Sequence, residues 1–481
     1  MSKSKLLTLL ALFGSASLLA ACAVGPNYAG PPNAAPVSTA AGQFHRAVEA
    51  DVAAAPPPAR WWKALGDPQL DDLIDDALAG SPTVQAARAR LLSARAALGE
   101  SRTKLLPSGG GSLLAVSGDV PTGSFSQLAG GRATQGGSQS INLYSAGFDA
   151  TWELDIFGGQ RRAIEAAADQ AGAQAARLDD AQVELAAEVA QAYVDLRDAQ
   201  ARLALAHQEV ALERQTLALT YQRRKGGTAA DGDVDRVQTE LERLQADVPT
   251  LQADAQVALD RLALLTGREP GALDVRLAGP GAVPTPPTIT PVGDPAGLLR
   301  RRPDIRAAER QLAASNAQIG HQVAQYFPTV TLLGDIGFSA NNTSDLFRSS
   351  SFSALGAPSI SWNLFNFPRI AAQVRGAKAD RQEAVANYQQ AVLSALQDAE
   401  GSLTRFGHQR QSVASLALAQ GSADRAAVLV QSRYQAGTAS LIDVLDAQRQ
   451  KIDAEQSLAR GEAALTNDYI ALQKSLGLGW G

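Results

Sequence analysis

The chain is written twice. Residues 223–234 read RRKGGTAADGDV, and residues 433–444 read RYQAGTASLIDV. At a constant separation of 210 residues, Gly227 pairs with Gly437, Thr228 with Thr438, Ala229 with Ala439, Asp233 with Asp443 and Val234 with Val444. The same separation relates Trp152 to Trp362 and Gly267 to Gly477, whereas Pro82 and Pro107 match Pro303 and Pro328 at 221. The first copy therefore carries an 11-residue insertion between Pro107 and Trp152. Residues 118–140 there are rich in Gly and Ser and are expected to form an exposed loop. A length of 481 residues would ordinarily imply about three domains. The duplication replaces that count with one architecture used twice.

Within each copy the hydrophobic period changes in a fixed order: helix, strand, loop, strand, very long helix, break, helix. Phe148, Ala150, Trp152, Leu154 and Ile156 alternate with Gly147, Asp149, Thr151, Glu153 and Asp155. In the second copy Val330, Leu332, Ile336 and Phe338 alternate with polar or small residues, as do Ile360, Trp362 and Leu364. Segments of about ten residues with one apolar face suit transmembrane barrel strands, and half-buried strands of a soluble sandwich show the same pattern. From Arg161 to Lys225 and from Ile370 to Gln435 there is no proline. At 1.5 Å per residue each segment spans about 100 Å of helix. Val189, Leu196, Leu203, Val210 and Leu217 recur every seven residues, with Leu185, Ala192, Ala199 and Ala206 four positions behind. This is a heptad seam with a small-residue side. Taken alone it fits a dimeric coiled-coil rod, which leaves the amphipathic strands without a role. Four strands cannot close a barrel in lipid, so a membrane-spanning chain of this kind must oligomerise.

The N-terminus carries an address. Lys3 and Lys5 precede an apolar stretch from Leu6 to Ala20, followed by Leu19-Ala20-Ala21-Cys22. This arrangement reads as a signal peptide over 1–21, with Cys22 as the acceptor of a diacylglycerol thioether. Ala23 lacks the acidic side chain associated with inner-membrane retention, which favours the outer membrane. Residues 22–60 are rich in Pro, Ala and Gly and are expected to form an extended tether. Cys22 is the single cysteine and there are four scattered histidines, so neither a disulfide framework nor a metal cluster is expected. The 43 basic residues nearly balance the 48 acidic ones, which gives no footprint for nucleic acid. No phosphate-binding glycine motif or nucleophile elbow occurs, and no catalytic residues are assigned.

The segment Gly437-Thr-Ala-Ser-Leu-Ile-Asp-Val-Leu-Asp-Ala-Gln-Arg449, preceded by Tyr434, resembles the hallmark of the outer membrane factors. These are the TolC-like exit ducts, and the resemblance is to their lipoprotein, NodT/OprM-type branch. Val24-Gly25-Pro26-Asn27-Tyr28, Trp61-Trp62 with Asp67-Pro68, Arg302-Pro303-Asp304-Ile305, and Ser475-Leu476-Gly477 with Gly479-Trp480 match it as well. The resemblance implies a mainly α fold with transmembrane β. Its body is a homotrimer with a twelve-stranded β-barrel in the outer membrane, continued by a twelve-helix periplasmic α-barrel. The two repeats, 61–280 and 281–481, build that body together. Implied partners are a periplasmic adaptor, an inner-membrane RND-type pump and outer-membrane lipid. No cofactor is implied beyond the covalent lipid on Cys22, and no catalysis. An exit duct for type I protein secretion and a lipid-anchored periplasmic coiled-coil adaptor are the alternatives. The adaptor fits less well because the whole strand–helix unit occurs twice.

Carried over residue by residue, Asp443 and Asp446 fall on the aspartate constriction of TolC-like members. Tyr434 and Asp233 fall on positions that link the inner to the outer helix pair. Arg449 lies one helical turn after Asp446, within reach of an ion pair. Arg236 occupies the first-copy equivalent of Asp446. Ala439 stands where the family carries a basic residue, so one linking hydrogen bond is absent. Asp443 also suits an ordinary first-turn position at a helix N-terminus. Gly227-Thr228 and Gly437-Thr438 mark turns between a long and a short helix, and the resemblance makes them adaptor-facing.

Overall fold

The computed structural model describes residues 23–47, 52–121, 138–279 and 281–480. In chain order they form α1 (Pro36–Ala41), β1 (Val52–Ala53), α2 (Pro68–Gly80), α3 (Pro82–Thr103), β2 (Ser108–Pro121), β3 (Ser138–Leu154), α4 (Gly159–Lys225) and α5 (Asp231–Leu265). They continue with α6 (Asp274–Leu277), β4 (Thr290–Pro291), α7 (Pro295–Arg301), α8 (Pro303–Ala324), β5 (Thr329–Ala340), β6 (Phe352–Ser361), α9 (Phe367–Gln435) and α10 (Leu441–Ser475). The order α2-α3-β2-β3-α4-α5 thus recurs as α7-α8-β5-β6-α9-α10. The start signals recur too. Asp67 and Asp294 cap α2 and α7 by accepting backbone N–H bonds, and each is followed by a proline whose missing N–H would have no helical partner there.

The chain divides into two compact units. One holds 92–172, 310–386 and the segment before residue 32. Its centre is a four-stranded antiparallel sheet in the order β2-β3-β5-β6, so the hairpins of the two copies are joined through β3 and β5. The register places Gly111, Phe148, Ile336 and Ala354 side by side on one face. That face continues through Leu113, Trp152, Leu332, Phe338, Phe352 and Ile360, most of them well exposed in the single chain. The opposite face carries Ser112, Ser145, Asp149, Thr151, Thr331, Asp335 and Ser359 among a few leucines. Gly147 lies opposite Gly337, and a Cβ on Gly337 would stand 2.8 Å from the Ala146 carbonyl oxygen, so the strands cross where neither copy has a side chain. Beyond Tyr144 the apolar face ends: Ser117 donates to Asn142 at 2.6 Å and Ser140 to Asp119 at 2.5 Å. These bonds zip the first hairpin further than its glycine content implies. Positions 118–121 and 138–140 are therefore strand, and the rest of the expected loop lies outside the described residues.

At the other end of the sheet the duplication is visible in single bonds. The Trp152 indole donates to the Leu105 carbonyl at 2.9 Å, and the Trp362 indole donates to the Tyr326 carbonyl at 2.9 Å. Strand β3 stops at Leu154 and β6 at Ser361, short of Ile156, Trp362 and Leu364 in the alternating pattern, because the chain turns there into the long helices.

The second unit contains 32–91, 173–309 and 387–481. The heptad seam of α4 is its core: Val189 and Leu196 are fully buried, and Leu185, Ala192, Ala199, Ala206 and Val210 nearly so. Val210 packs with Leu241 and Leu244 of α5, joined by Leu217. Trp61 meets Trp62 and Tyr469 edge-on at 5.7 and 6.0 Å. The segment 22–60 departs from a uniformly extended tether. Pro36 starts the short α1 and Gly42, at φ 71°, stops it. Phe44 is buried, and the His45 and Arg46 amides both donate to the Glu400 carboxylate at 2.9 Å. Apolar and hydrogen-bonding anchors override its proline content.

Candidate functional site: the helix turns and their acidic residues

Both long helices end in the same six-residue device. The Thr228 N–H donates to the Arg223 carbonyl at 2.9 Å and the Gly227 N–H to Arg224 at 3.0 Å, while Thr438 and Gly437 repeat this on Arg433 and Tyr434 at 2.8 and 2.9 Å. Gly227 and Gly437 sit at φ 71° and 75°. This paired closure of the last carbonyls needs a left-handed residue, where a Cβ is unfavourable. The hydroxyls of Thr228 and Thr438 add a second bond to the same carbonyls, at 3.0 and 3.1 Å. Each turn is therefore a rigid exposed corner joining two long helices.

The helices that leave these corners begin differently. In the second copy Ser440 caps α10: the Asp443 N–H donates to Ser440 Oγ at 3.2 Å, and the Asp443 carboxylate accepts from Ser440 N and Oγ, both at 2.7 Å. This is a reciprocal capping box. The hydroxyl and amide of Ser440, in that order, hold the Asp443 carboxyl below the usual carboxylate range. In the first copy Ala230 replaces the serine, and Asp233 accepts only the Ala230 N–H, at 3.0 Å. Arg236 approaches Asp233 at 3.6 Å, and Arg224 pairs with Asp231. Arg449 reaches Asp446 at 3.7 Å, with both side chains substantially exposed. Tyr434 is 39% exposed, and within the chain it shares no hydrogen bond with Asp233 among the described residues. One protomer thus assembles Asp443, Asp446, Arg449 and the Gly437-Thr438 corner at the start of one helix, and Asp233, Arg236 and Gly227-Thr228 at the start of its repeat.

Behind this surface, α4 carries two buried acids without any apolar-to-polar warning in the sequence. Glu209 accepts from Gln456 of α10 at 3.0 Å. Burial, with Asp453 adding repulsion, pushes its carboxyl up. Burial also raises Glu213, which the Arg449 charge opposes. Among the described residues no group of His, Cys, Asp and Glu is placed to hold a metal ion, and no helix is long and apolar enough to cross a membrane. Cys22 lies outside the described residues.

A family model described as outer membrane efflux protein matches residues 73–268 and 295–478, one match over each copy. The chain belongs to the outer membrane efflux protein family. It is 30% identical over 465 residues to Nodulation protein T of Rhizobium leguminosarum bv. trifolii, covering 96% of both chains. It is 31% identical over 423 residues to the pyoverdine export outer membrane protein OpmQ of Pseudomonas aeruginosa, covering 88% of this chain and 87% of that one. Its structure superimposes on that of the outer-membrane channel OprN with a TM-score of 0.84 and 35% identity, over 95% of this chain and all of that one. This outer membrane efflux protein is therefore an outer-membrane channel with the fold of TolC-like ducts. The family consists of channel proteins. Its apolar sheet face is then the lipid-facing one, and the Ser-, Thr- and Asp-bearing face lines the interior.

Asp443 is legible as a helix-start residue, and the structure adds Ser440 as its capping partner. The signal was present in Ser440-Leu-Ile-Asp443, a capping-box spacing. Arg302 is more than a motif residue. The structure makes Arg302 the link between the start of α8, the middle of α9 and the end of α10.

Proposed function

We propose that this protein is the passive exit duct of a tripartite efflux assembly. Three copies each contribute four strands to a twelve-stranded barrel, energised from outside by an RND-type pump through a periplasmic adaptor. The carrying observation is the four-stranded sheet, with β2 and β6 as edges that pair with no other strand among the described residues. Lipid does not tolerate such edges, so they pair with those of neighbouring copies. From Tyr144 to Leu154 the lipid-facing run of β3 covers about 34 Å along the strand, and a tilt near 40° reduces that to about 26 Å, the height of an outer-membrane apolar band. Tyr144 and Phe338 at one end and Trp152 and Trp362 at the other supply the aromatic girdles.

Cys22 carries the lipid that adds a second hold on the membrane. The corners at Gly227-Thr228 and Gly437-Thr438 are the surfaces that meet the adaptor. Asp443 and Asp446 from three copies form an acidic constriction that concentrates negative potential and favours cations. Arg449 and Arg236 modulate its charge, and Tyr434 and Asp233 join neighbouring helix pairs in the closed form. The protein conducts and carries out no reaction. The names of relatives that export pyoverdine or belong to efflux pumps favour small-molecule export over protein secretion.

The test is reconstitution without partners. Liposomes holding the wild-type protein leak a small trapped cation down its gradient, faster than empty liposomes, with no energy source. Liposomes that stay sealed while the protein is inserted contradict the duct reading.

A further inference from the structure

We propose that the edges of β2 and β6 meet in one fixed register, in which Ile360 of one copy lies opposite Leu113 of the next and Ser359 opposite Leu114. The inference rests on the three-copy barrel proposed above and adds which residues meet at its seams. Inside the chain the two hairpins obey the duplication along their whole length. Ser108 lies opposite Thr151 in the first and Thr329 opposite Ser361 in the second, and the separations of 221 and 210 carry one pair onto the other. The same hairpin is built twice, without a slip.

The chain also contains one junction between unlike copies. Strand β3 of the first pairs with β5 of the second, with Thr151 opposite Leu333, Ala150 opposite Gly334 and Asp149 opposite Asp335. A seam between neighbouring chains joins β6, the counterpart of β3, to β2, the counterpart of β5. Carrying the pairs across by 210 and 221 puts Ser361 opposite Ser112, Ile360 opposite Leu113, Ser359 opposite Leu114 and Ala357 opposite Val116. Equal junctions make the step from each copy to the next a pure rotation, which keeps Trp152 and Trp362 at one level around the barrel. A slip of one residue would turn the lipid-facing side chains of one strand inward. A slip of two keeps the faces but sets the two tryptophans, and the long helices that follow them, at different levels.

The interior face supplies a second, independent observation. Over the rows shared by β3 and β5, Leu333 is the one apolar side chain on that face among the described residues, amid Asp149, Thr151, Thr331 and Asp335. Apolar residues return on the edge strands, as Leu114 and Val116 on β2 and Leu355 and Ala357 on β6. In the single chain Leu114, Val116, Leu333 and Leu355 are 45% to 67% exposed. The register gathers them. Ala357 stands between Leu333 of its own chain and Val116 of the next, with Leu355 and the next chain's Leu114 beside them. Side chains that would each face water in the interior cover one another across the seam.

Disulfide formation between cysteines placed on the two edges tests the register in full-length protein extracted from outer membranes. Consecutive rows of an antiparallel ladder alternate between wide and close spacing, so two rows are probed: Ile360→Cys with Leu113→Cys, and Ser359→Cys with Leu114→Cys. Within one chain these positions lie three strands apart, about 14 Å, beyond the limit of about 7 Å for a disulfide, so any bridge joins two copies. Single-cysteine variants control for Cys22, the one native cysteine. Mild oxidation converts at least one of the two pairs into a covalent trimer that survives boiling and that reductant returns to single chains. Partners moved by two rows give several-fold less: Gly111→Cys or Ala115→Cys with Ile360→Cys, and Ser112→Cys or Val116→Cys with Ser359→Cys. The native mass of the unoxidised particles is read alongside. Most product from a moved pair in a three-chain particle overturns the register and leaves the barrel standing. No product from any pair in a three-chain particle overturns the meeting of β6 with β2. Wild-type particles of one or two chains overturn the three-copy barrel, and the inference falls with it.

Discussion

The double variant Asp443→Ala, Asp446→Ala conducts several-fold more current than wild type in a planar bilayer and is no longer blocked by divalent cations. Three copies of the pair place six carboxylates around one passage. A divalent ion held by such a ring obstructs the current, and the low-dielectric walls of a narrow pore strengthen the attraction. In the single chain the two carboxylates stand in the first two turns of α10. Asp443 is held at the first turn of α10. Asp446 lies one turn on, with Arg449 as its ion-pair partner at 3.7 Å. Removing both takes two negative charges per copy away, while Arg449, whose charge also acts on Glu213 of α4, stays in place. The concentration for half block rises by more than about tenfold, equivalent to about 1.4 kcal/mol of lost ion binding. Conductance and block that both match wild type would remove the aspartates from the gate.

Arg302→Ala is the largest expected loss of stability. The guanidinium is almost fully buried, and it grips Asp304 with two bonds at 2.7 and 3.0 Å. It also donates to the Ser475 carbonyl at 2.8 Å and reaches Asp398 at 3.4 Å. One side chain thereby satisfies an orphan carbonyl at the end of α10 and ties three helices. These groups line a cavity of about 440 Å³ that also contains Asp180 of α4. Burial pushes the Asp180 carboxyl up to about 6, with Asp304 and Glu184 adding repulsion and Arg302 opposing it. Without the Arg302 guanidinium four acids, Asp180, Glu184, Asp304 and Asp398, face two remaining cations, Arg405 and Lys474, around the cavity. Removing one partner of a buried ion pair costs about 3 kcal/mol, reduced here because Asp398 is half exposed.

The same cavity sets a pH dependence. The folded-state value of Asp180 lies above its unfolded value near 3.8, so the folded chain binds the extra proton and stability falls as pH rises from about 4 to about 6. Arg302→Ala should widen that fall, and Asp180→Asn should remove it. Thermal unfolding of detergent-solubilised protein at pH 4.5 and 7.5 checks both. A midpoint for Arg302→Ala equal to wild type at both values contradicts the assignment.

The parts of the molecule that were legible in the sequence follow from periodicity. The seam Val189, Leu196, Val210 repeats every seven residues because it packs on neighbouring helices along its whole length, and the structure buries it. Gly227 and Gly437 were legible because only one kind of residue closes that corner cheaply. The alternation around Phe148 and Trp152 gave the strands, while their ends depended on where Trp152 and Trp362 find carbonyls, which is a tertiary fact. Proline content misled over residues 22–60, since Phe44 and Glu400 supply anchors that lie far apart in the chain. Glu209 and Glu213 look like surface residues of a long helix until α5 and α10 cover them. Burial of that kind depends on the partner helix and leaves no local signature.

On the proposed reading this chain becomes a conduit only when three copies close one barrel from the edges of β2 and β6. Native mass spectrometry of the protein extracted from outer membranes in mild detergent tests it most directly. The expected result is a particle of three lipid-modified chains that falls to single chains on heating. A particle of one or two chains that still opens channels in a bilayer would contradict it.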